Sequence, residues 1–380
     1  MRVLMVSDVY FPRINGVSTS IETFRAALAD EGVDVSLIAP DYGDGGVSAG
    51  VTRVPSRPVP GDPEDRLARY GALRRACLAA ARDCDLVHVQ TPFAAHYAGL
   101  GAARKLGKPV LATYHTLFEE YLHHYVPWLP AALPRAIARH FSRRQCNDLD
   151  AVIVPSTAMR ERLRAYGVRR PLHVLPTGLP ERAFASADGA AFRAGLGIAA
   201  DTPLALFVGR VAHEKNIGFL LDVVARARRA HPDLVFLITG EGPARADLER
   251  QAQLLGLGGQ ARFLGYLDRR DQLPAAYAAA DVFIFASRTE TQGLVLLEAM
   301  AQGCPVVALS AMGTRDILEP RRGCRVAADD PAEFADTLGE LLDNPAARRQ
   351  LGDDAAVYAR EWSDRALARR LAGLYRDLAA

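Results

Sequence analysis

Residues 282–308 of the chain form one complete strand–loop–helix–strand pattern. An apolar run, Val282–Phe285, leads into a polar loop at residues 287–293, a helix-forming stretch and a second apolar run at residues 305–308. Strands joined through a helix pair in parallel, because such a connection is too long for a hairpin. In open α/β sheets, ligands bind beyond the carboxyl ends of the strands. The pattern therefore predicts a parallel sheet with a ligand site at this loop.

Three residues of this unit are placed to bind a ligand. Glu290 lies in the loop, Gly293 at the start of the helix and Glu298 one turn into it. The start of a helix presents backbone N–H groups that have no partner within the helix and that suit a phosphate. The carboxylates beside it can accept hydrogen bonds from sugar hydroxyls. The arrangement predicts a phosphorylated sugar compound as the ligand.

The same residues carry a family resemblance. The spacing Glu290-x7-Glu298, followed by Ala-Met-Ala-x-Gly-x-Pro-Val, resembles the signature of the retaining, nucleotide-sugar-dependent glycosyltransferases of family 4. The resemblance implies an α/β structure with the GT-B fold, in which two doubly wound Rossmann-like domains face each other across a cleft. The loop sequence Thr-Glu-Thr-Gln-Gly at residues 289–293 is most similar to that of members that glycosylate diacylglycerol.

The rest of the chain repeats the alternation of strands and helices over its 380 residues. Ten strands in one open sheet would be unusual, so the pattern predicts two doubly wound domains. The predicted strands are residues 3–7, 33–39, 86–90, 110–114, 151–155, 204–208, 235–239, 261–264, 282–286 and 306–309.

A Pro- and Gly-punctuated linker at residues 175–180 places the domain boundary. We predict an acceptor-binding domain at residues 1–178 and a nucleotide-sugar-binding domain at residues 179–361. The resemblance implies that a helix at residues 362–380 crosses back onto the first domain. Thr177 stands where family members usually have Asn.

Composition and charge exclude several classes of protein. Hydrophobic residues make up 49% of the chain and the net charge is +2, so nothing global calls for nucleic acid as a partner. The N-terminus reads as a buried strand and not as a signal peptide, and no run of about 18 apolar residues occurs. The five cysteines form no C-x-x-C pair, so we expect reduced thiols in a cytoplasmic protein.

A second motif lies on the loop that follows the strand at residues 204–208. Arg210 and Lys215 are two cations on one short loop. Cations fixed beside a departing nucleoside diphosphate would stabilise its growing negative charge without a metal ion. A solvated basic loop is the alternative. The stretch matches the family pattern Gly-Arg-x5-Lys-Asn, which implies that both cations bind the donor.

Two further segments resemble parts of the family's donor site. Gly16 lies in the first strand–helix turn, where a missing side chain would let the backbone approach a diphosphate. The alternative is a tight turn, with Thr19 and Glu22 forming a capping box. Tyr266 and Leu267 resemble the segment whose backbone reads the edge of uracil, which implies UDP as the nucleotide.

The resemblance also assigns roles to the polar residues. It implies that Glu290 binds the hexose, that Glu298 binds the ribose hydroxyls, and that Gly293 and Leu294 start the donor-binding helix. His115, at a strand end, is expected to contact the transferred sugar and not to abstract a proton, although a lone His at a strand end is more often structural. The reaction is expected to proceed on one face of the sugar, with retention.

We expect neither a metal nor a cofactor. Asp83-Cys84-Asp85 is similar to the metal-binding DxD motif of the other large glycosyltransferase fold, but it precedes a strand and so lies at the wrong sheet edge. His123, His124 and His140 have no metal-ligand spacing with carboxylates.

The acceptor side is predicted within residues 115–146, where an aromatic stripe precedes a basic amphipathic helix. Such a helix is suited to an anionic membrane surface. The alternative is an ordinary surface helix packed on the core. The aromatic residues are Phe118, Tyr121, Tyr125 and Trp128; the helix carries Arg135, Arg139 and Arg143 roughly opposite Leu133, Ile137 and Phe141.

The sequence thus predicts a hexosyltransferase that moves glucose, galactose or glucuronate from a UDP-sugar to diacylglycerol at the cytoplasmic face of the membrane. Phosphatidylinositol, a polysaccharide or a small molecule are alternative acceptors. Proteins of other classes, a non-catalytic nucleotide-sugar or lipid-binding module and a sugar-nucleotide epimerase, are alternatives to the enzyme itself.

Overall fold

A computed structural model describes residues 1–13, 15–43, 49–59, 62–115 and 132–380, with the backbone alone at 62–64 and 132–135. Its contacts divide the chain into two compact units. The first comprises Met1–Gly178 and Asp364–Ala380, and the second comprises Leu179–Ser363. The backbone N–H of Leu179 donates to the carbonyl of Trp362 (2.8 Å), so the chain enters and leaves the second unit side by side.

The first unit contains a parallel sheet of seven strands in the order β3-β2-β1-β6-β7-β8-β9. Its central strands are short and fully buried, as expected where helices cover both faces of a parallel sheet. An antiparallel hairpin, β4–β5, lies beside it. The strands are β1 Arg2–Val6, β2 Asp34–Pro40, β3 Val51–Val54, β4 Ser56–Val59, β5 Asp62–Ala68, β6 Leu86–Val89, β7 Val110–Thr113, β8 Ala151–Val154 and β9 Leu172–Val174.

Six described helices belong to this unit. The C-terminal helix begins at Asp364 and buries Leu367, Leu371 and Tyr375 in the same core as the first helix. The hydroxyl of Thr177 donates to that of Ser20 on the first helix (2.8 Å), which gives this residue a structural contact. The helices are Gly16–Asp30, Tyr70–Ala80, Ala94–Leu106, Ala132–Asn147, Thr157–Ala165 and Asp364–Ala379.

The second unit contains a parallel sheet of six strands in the order β12-β11-β10-β13-β14-β15. The strands are β10 Leu204–Val208, β11 Val235–Thr239, β12 Ala261–Gly265, β13 Val282–Phe285, β14 Val306–Leu309 and β15 Cys324–Ala327. The helices are Gly189–Gly195, Ile217–Ala227, Arg245–Leu254, Gln272–Ala279, Leu294–Ala301, Thr314–Leu318, Pro331–Leu342 and Pro345–Ala359.

Aromatic packing fixes the centre of the second sheet. The rings of Phe207 on β10 and Phe285 on β13 stack at 5.9 Å, and Phe283 stacks on Phe285 at 6.1 Å. All three side chains are fully buried, and each such burial contributes about 1.5–3 kcal/mol. This packing holds the ends of β10 and β13 in a fixed relation.

Strand order then determines where a ligand site lies. From β10 the chain moves outward to β11 and β12, and it then returns to place β13 on the other side of β10. The loops after β10 and β13 therefore leave the sheet in opposite directions, which opens a crevice at the carboxyl edge. The first unit repeats this arrangement, with β1 between β2 and β6.

All five cysteines are free and buried. Burial raises the pKa of Cys77 and of Cys146 to about 12, so these thiols stay protonated near neutral pH.

Candidate functional site

The loops after β10 and β13 bring two predicted residues into contact. The Nζ atom of Lys215 lies 2.6 Å from Oε2 of Glu290, and both side chains are 20% exposed. Asn216 takes a left-handed conformation (φ 56°), and its amide donates to the carbonyl of Ala286 at the end of β13 (3.2 Å). This hydrogen bond ties the two loops together and sets Lys215 against Glu290.

Arg210 lies near the start of the same loop and is more exposed to solvent than Lys215. Its guanidinium lies 3.6 Å from the carboxylate of Glu214, and its side chain is 57% exposed. An exposed ion pair of this kind contributes about 0.2–1 kcal/mol. Arg210 can therefore exchange this partner for a stronger anion at little cost.

Two glycines shape the loop after β11, which begins Thr239-Gly-Glu-Gly-Pro. A Cβ atom at Gly240, where φ is +120°, would lie 2.0 Å from the carbonyl oxygen of Gly209. At Gly242 it would lie 2.3 Å from the carbonyl oxygen of Val211. The loop after β11 thus packs backbone to backbone under the Arg210 loop and supports it.

The Glu290 loop is held by its own neighbours. The N–H of Gly313 donates to the carbonyl of Glu290 (2.8 Å), and a Cβ at Gly313 would meet the carbonyl oxygen of Thr291 at 2.1 Å. Arg288 makes two parallel hydrogen bonds to Asp329 beyond β15, at 2.9 and 2.6 Å. These contacts fix the loop from both sides.

The helix Leu294–Ala301 follows this loop. Gly293 precedes it with φ +96°, a conformation that favours glycine, and no side chain caps the helix start. Its first N–H groups therefore remain available beside Glu290 and Lys215.

Glu298, inside this helix, is 15% exposed and has two partners. Its Oε2 accepts a hydrogen bond from the Tyr277 hydroxyl (2.9 Å), and its Oε1 accepts one from Arg269 (2.7 Å). Burial raises the pKa of Tyr277 well above its usual range, so this hydroxyl stays protonated and donates.

Tyr266 and Leu267 follow β12. The Tyr266 side chain is 80% exposed, whereas Leu267 packs against the core. The carbonyl of Gly265 accepts hydrogen bonds from the Gly240 N–H and the Thr239 hydroxyl, both at 2.8 Å. The backbone of this segment is therefore anchored, while its aromatic side chain is free to contact a ligand.

In the first unit, Gly16 is the first residue of the helix Gly16–Asp30. Asn15 caps this helix, with its side-chain oxygen accepting from the N–H of Ser18 (2.8 Å). The predicted capping box of Thr19 and Glu22 is therefore wrong, because both residues lie inside the helix. Glu22 instead accepts hydrogen bonds from Tyr10 and from Arg25.

His115 lies just beyond β7. Its Nε2 is 3.1 Å from the side-chain oxygen of Gln90, which follows β6. Desolvation lowers the pKa of His115 to about 4, so the ring is neutral near pH 7. Beneath it, His88 is buried between the hydroxyls of Tyr375 (2.6 Å) and Thr113 (2.8 Å).

Asp8 joins His115 at this sheet edge. It accepts hydrogen bonds from the hydroxyl of Thr91 (2.7 Å) and from the N–H of Ala95 (3.0 Å), and so caps the helix Ala94–Leu106 from a distance. Burial raises the pKa of Asp8.

The basic helix Ala132–Asn147 extends past the sheet. The hydroxyl of Ser142 bonds to that of Tyr114 just after β7 (2.9 Å), so this point of the helix lies near the carboxyl edge. The 16 residues of the helix span about 24 Å, whereas β8 has only four residues. The N-terminal half of the helix therefore projects beyond the strand ends.

The exposed surface of this helix is not purely basic. Ile137 is 51% exposed, and the buried side consists of the small and polar residues Ala138, Ser142, Gln145 and Cys146. The guanidinium of Arg139 lies 5.7 Å from the ring centre of Tyr166. The stem of Arg143 packs at Gly167. Phe118, Tyr121, Tyr125, Trp128 and the side chain of Arg135 lie outside the described residues.

Within the described ranges, no three His, Cys, Asp or Glu side chains come together in a way that could hold a metal ion. Asp85 lies in a helix–strand turn, where its carboxylate accepts from the N–H of Arg2 (2.8 Å). None of the described helices is long and apolar enough to cross a membrane.

Family models match both halves of the chain. The model described as Glycosyltransferase Family 4 matches residues 14–182, and that described as Glycosyl transferases group 1 matches residues 189–357. An alpha-monoglucosyldiacylglycerol synthase of Streptococcus pneumoniae is 32% identical over 81% of this chain and 71% of its own length. The chain belongs to the family 4 glycosyltransferases.

Another relative of this glycosyltransferase has its donor, GDP-mannose, in its name. A GDP-mannose-dependent alpha-mannosyltransferase of Mycolicibacterium smegmatis is 32% identical over 95% of this chain and 94% of its own length. Among solved structures, that of HepE from Anabaena in complex with UDP and glucose aligns with a TM-score of 0.78 at 18% identity. It covers 99% of this chain and 100% of that one. The predicted GT-B fold, with two parallel α/β units, is confirmed.

Four residues at these sheet edges were missed by sequence reasoning: Arg269, Tyr277, Asp8 and Gln90. Tyr277 reads as an ordinary core residue of its helix, and only the fold reveals the hydroxyl contact with Glu298. Asp8 and Gln90 could have been found, since each lies just beyond an apolar strand of this glycosyltransferase.

Proposed function

We propose that this glycosyltransferase moves a hexose, with retention of configuration, from a UDP-sugar to diacylglycerol at the cytoplasmic face of the membrane. The observation that carries the proposal is the contact between Lys215 and Glu290 beside the uncapped start of the helix Leu294–Ala301. A cation, a carboxylate and free N–H groups in one crevice match the charges and hydroxyls of a nucleotide sugar.

The donor's diphosphate would bind the cationic side of this crevice. Arg210, Lys215 and the first N–H groups of the helix would donate hydrogen bonds to it. The diphosphate gains negative charge as the bond to the sugar breaks, and fixed cations stabilise that charge. In this proposal they do so without a metal ion.

The remaining donor groups would be bound by carboxylates and backbone. Glu290 would accept hydrogen bonds from the hexose hydroxyls and Glu298 from those of the ribose, while the segment at Tyr266 and Leu267 would read the base. UDP as the nucleotide of the donor is supported by HepE, a protein of similar fold whose solved structure contains UDP and glucose.

The reaction is proposed to proceed on one face of the sugar. The bond from the anomeric carbon to the phosphate oxygen breaks, and a bond from that carbon to the acceptor oxygen forms on the same face. The acceptor's proton passes to the departing phosphate oxygen. Double displacement needs a nucleophilic carboxylate about 5 Å from a second one. Here Glu290 is paired with Lys215 and Glu298 is bonded to Arg269 and Tyr277.

His115 would contact the transferred sugar. Its pKa of about 4 leaves it neutral, so it can donate one hydrogen bond and accept another near pH 7. Its contact with Gln90 orients the ring.

The acceptor assignment rests on two supports. The relative in Streptococcus pneumoniae is named for glucosyldiacylglycerol synthesis. The helix Ala132–Asn147 exposes Ile137 on one flank and Arg139 and Arg143 on the other, and exposed apolar and cationic groups suit anionic lipid. The mannosyltransferase relative makes GDP-mannose the second candidate donor.

Product analysis tests the proposal directly. The purified protein is incubated with anionic vesicles that contain diacylglycerol, with each of several UDP-sugars and with GDP-mannose, and the lipids are identified by mass spectrometry. We expect an α-hexosyl-diacylglycerol from one UDP-sugar, with the configuration read by NMR. Lys215→Ala should lower turnover by about 10²–10³-fold, and Lys105→Ala, at an exposed position of the helix Ala94–Leu106, is the matched control.

Four outcomes would contradict parts of the proposal. An inverted product would exclude the one-face reaction. Slow release of UDP without glycolipid would retain the donor and exclude the acceptor, and turnover of GDP-mannose alone would exclude UDP. Near-normal turnover by Lys215→Ala would exclude this donor site.

A further inference from the structure

The carboxylate of Glu298 is held by two donors of different character. Tyr277 is fully buried on the helix Gln272–Ala279 and bonds to one oxygen at 2.9 Å. Arg269 bonds to the other oxygen at 2.7 Å with a side chain that is 54% exposed. One oxygen thus has a fixed partner, and the other has a partner that faces solvent.

The turn that carries Arg269 is well ordered by its own sequence. The Asp268 carboxylate accepts hydrogen bonds from the N–H groups of Arg270 (2.9 Å) and Asp271 (3.2 Å). The N–H of Leu273 donates to the Asp268 carbonyl (2.8 Å), which joins the turn to the helix of Tyr277. The backbone of Arg269 is therefore fixed, and its side chain reaches from this turn to Glu298.

We infer that Arg269 is a positioning residue for the donor's ribose, an inference that rests on the proposed donor role of Glu298. An ionised carboxylate has about four lone-pair sites, two on each oxygen. Arg269 and Tyr277 each occupy one site on a different oxygen, which leaves one site free on each. Two adjacent acceptors fixed in this way match the 2′- and 3′-hydroxyls of a ribose.

Loss of Arg269 would release the carboxylate. The terminal torsion of a glutamate is broad, so a carboxylate held at one oxygen only can rotate. The charge of Glu298 would also lose its partner close to a bound diphosphate, which repels it. Both effects weaken the same interaction, the recognition of the ribose diol, and neither acts on the sugar or the base.

The test compares nucleotides that differ by one hydroxyl. The affinities for UDP and 2′-deoxy-UDP are measured by calorimetry on the wild type, on Arg269→Ala and on Arg270→Ala, a neighbouring exposed arginine of the same turn. GDP and 2′-deoxy-GDP are measured in parallel. We expect the wild type and Arg270→Ala to prefer the ribonucleotide about 10-fold or more, and Arg269→Ala to prefer it less than about 3-fold.

Further variants separate positioning from general damage. Arg269→Lys, which keeps the charge but loses the planar fork, should be intermediate, and Glu298→Ala should show no preference. A wild-type preference retained by Arg269→Ala would overturn the inference and leave the proposed function intact. Absence of any preference in the wild type would overturn the ribose role of Glu298 together with the inference.

Discussion

Gly16 occupies a position where nothing within the described part of the chain requires glycine. It is the first residue of its helix, and a Cβ atom there would meet no heavy atom within 4 Å. Gly240 is the opposite case, since its Cβ would lie 2.0 Å from a carbonyl oxygen. The first glycine leaves open space for a ligand, whereas the second serves packing.

This contrast predicts what an alanine at position 16 would do to stability and to donor binding. Gly16→Ala should leave the free energy of unfolding unchanged or slightly raised, because Ala is the better helix former. It should raise the KM for the donor severalfold if a diphosphate approaches this backbone. Urea unfolding and donor kinetics are the measurements. Gly101→Ala, in an exposed helix position with equally open space, is the control that should alter stability alone. An unchanged KM in Gly16→Ala would exclude the role of Gly16.

Site residues that lie on one loop could be predicted from the sequence. Contacts between residues that only the strand order brings together could be predicted in part. The motifs placed Lys215 and Glu290 on separate loops at one sheet edge, and the two side chains meet there at 2.6 Å. The hydrogen-bond partners of Glu298 could not be predicted from the sequence in the same way. Arg269 and Tyr277 come from a turn and a helix whose distance from Glu298 depends on packing that no local pattern encodes.

Among the elements, the buried strands were predicted, and of the edge strands of the two parallel sheets only β12 was. The ten predicted strands are all present, since continuous apolar runs mark the centre of a parallel sheet. The strands that were not predicted, β3, β4, β5, β9 and β15, are short or lie at sheet edges, where polar residues interrupt the apolar pattern.

The start of the first helix offers a prediction at this scale. Its cap is Asn15, so Asn15→Ala should lower the free energy of unfolding by about 1 kcal/mol. Thr19→Ala should cost less, because Thr19 lies inside the helix and does not cap it. Urea unfolding of the two variants measures the difference. A larger loss in Thr19→Ala than in Asn15→Ala would restore the capping box and refute the assignment of Asn15.

At the scale of the whole molecule, buried histidines set the first unit apart. Burial lowers the pKa of His88 to about 3 and that of His96 to about 4, and desolvation lowers that of His115 to about 4. All three belong to the unit of Met1–Gly178 and Asp364–Ala380. Desolvation is the largest cause of all three shifts: His88 lies on the central strand β6, His96 on the helix Ala94–Leu106 and His115 just beyond β7.

These pKa shifts predict that acid destabilises the first unit. Unfolded histidines titrate near pH 6.5, so below that pH the unfolded chain binds protons that the folded unit does not. Stability is then lost as the pH falls toward 4, by up to about 1.4 kcal/mol per histidine for each pH unit. Asp8 has the opposite effect on stability, because its pKa is raised and the folded unit therefore binds its proton more tightly than the unfolded chain does. It is a single group, and the ordinary pKa of an aspartate is lower than that of a histidine.

Hydrogen exchange read by mass spectrometry can follow the two units separately. Between pH 7.5 and pH 5, after correction for the intrinsic exchange rate, peptides of the first unit should lose protection more than peptides of Leu179–Ser363. His96→Phe removes one titrating group at a buried site and should make the pH dependence of the first unit shallower. Equal loss in both units, or a first unit that gains protection in acid, would show that these histidines do not control its stability.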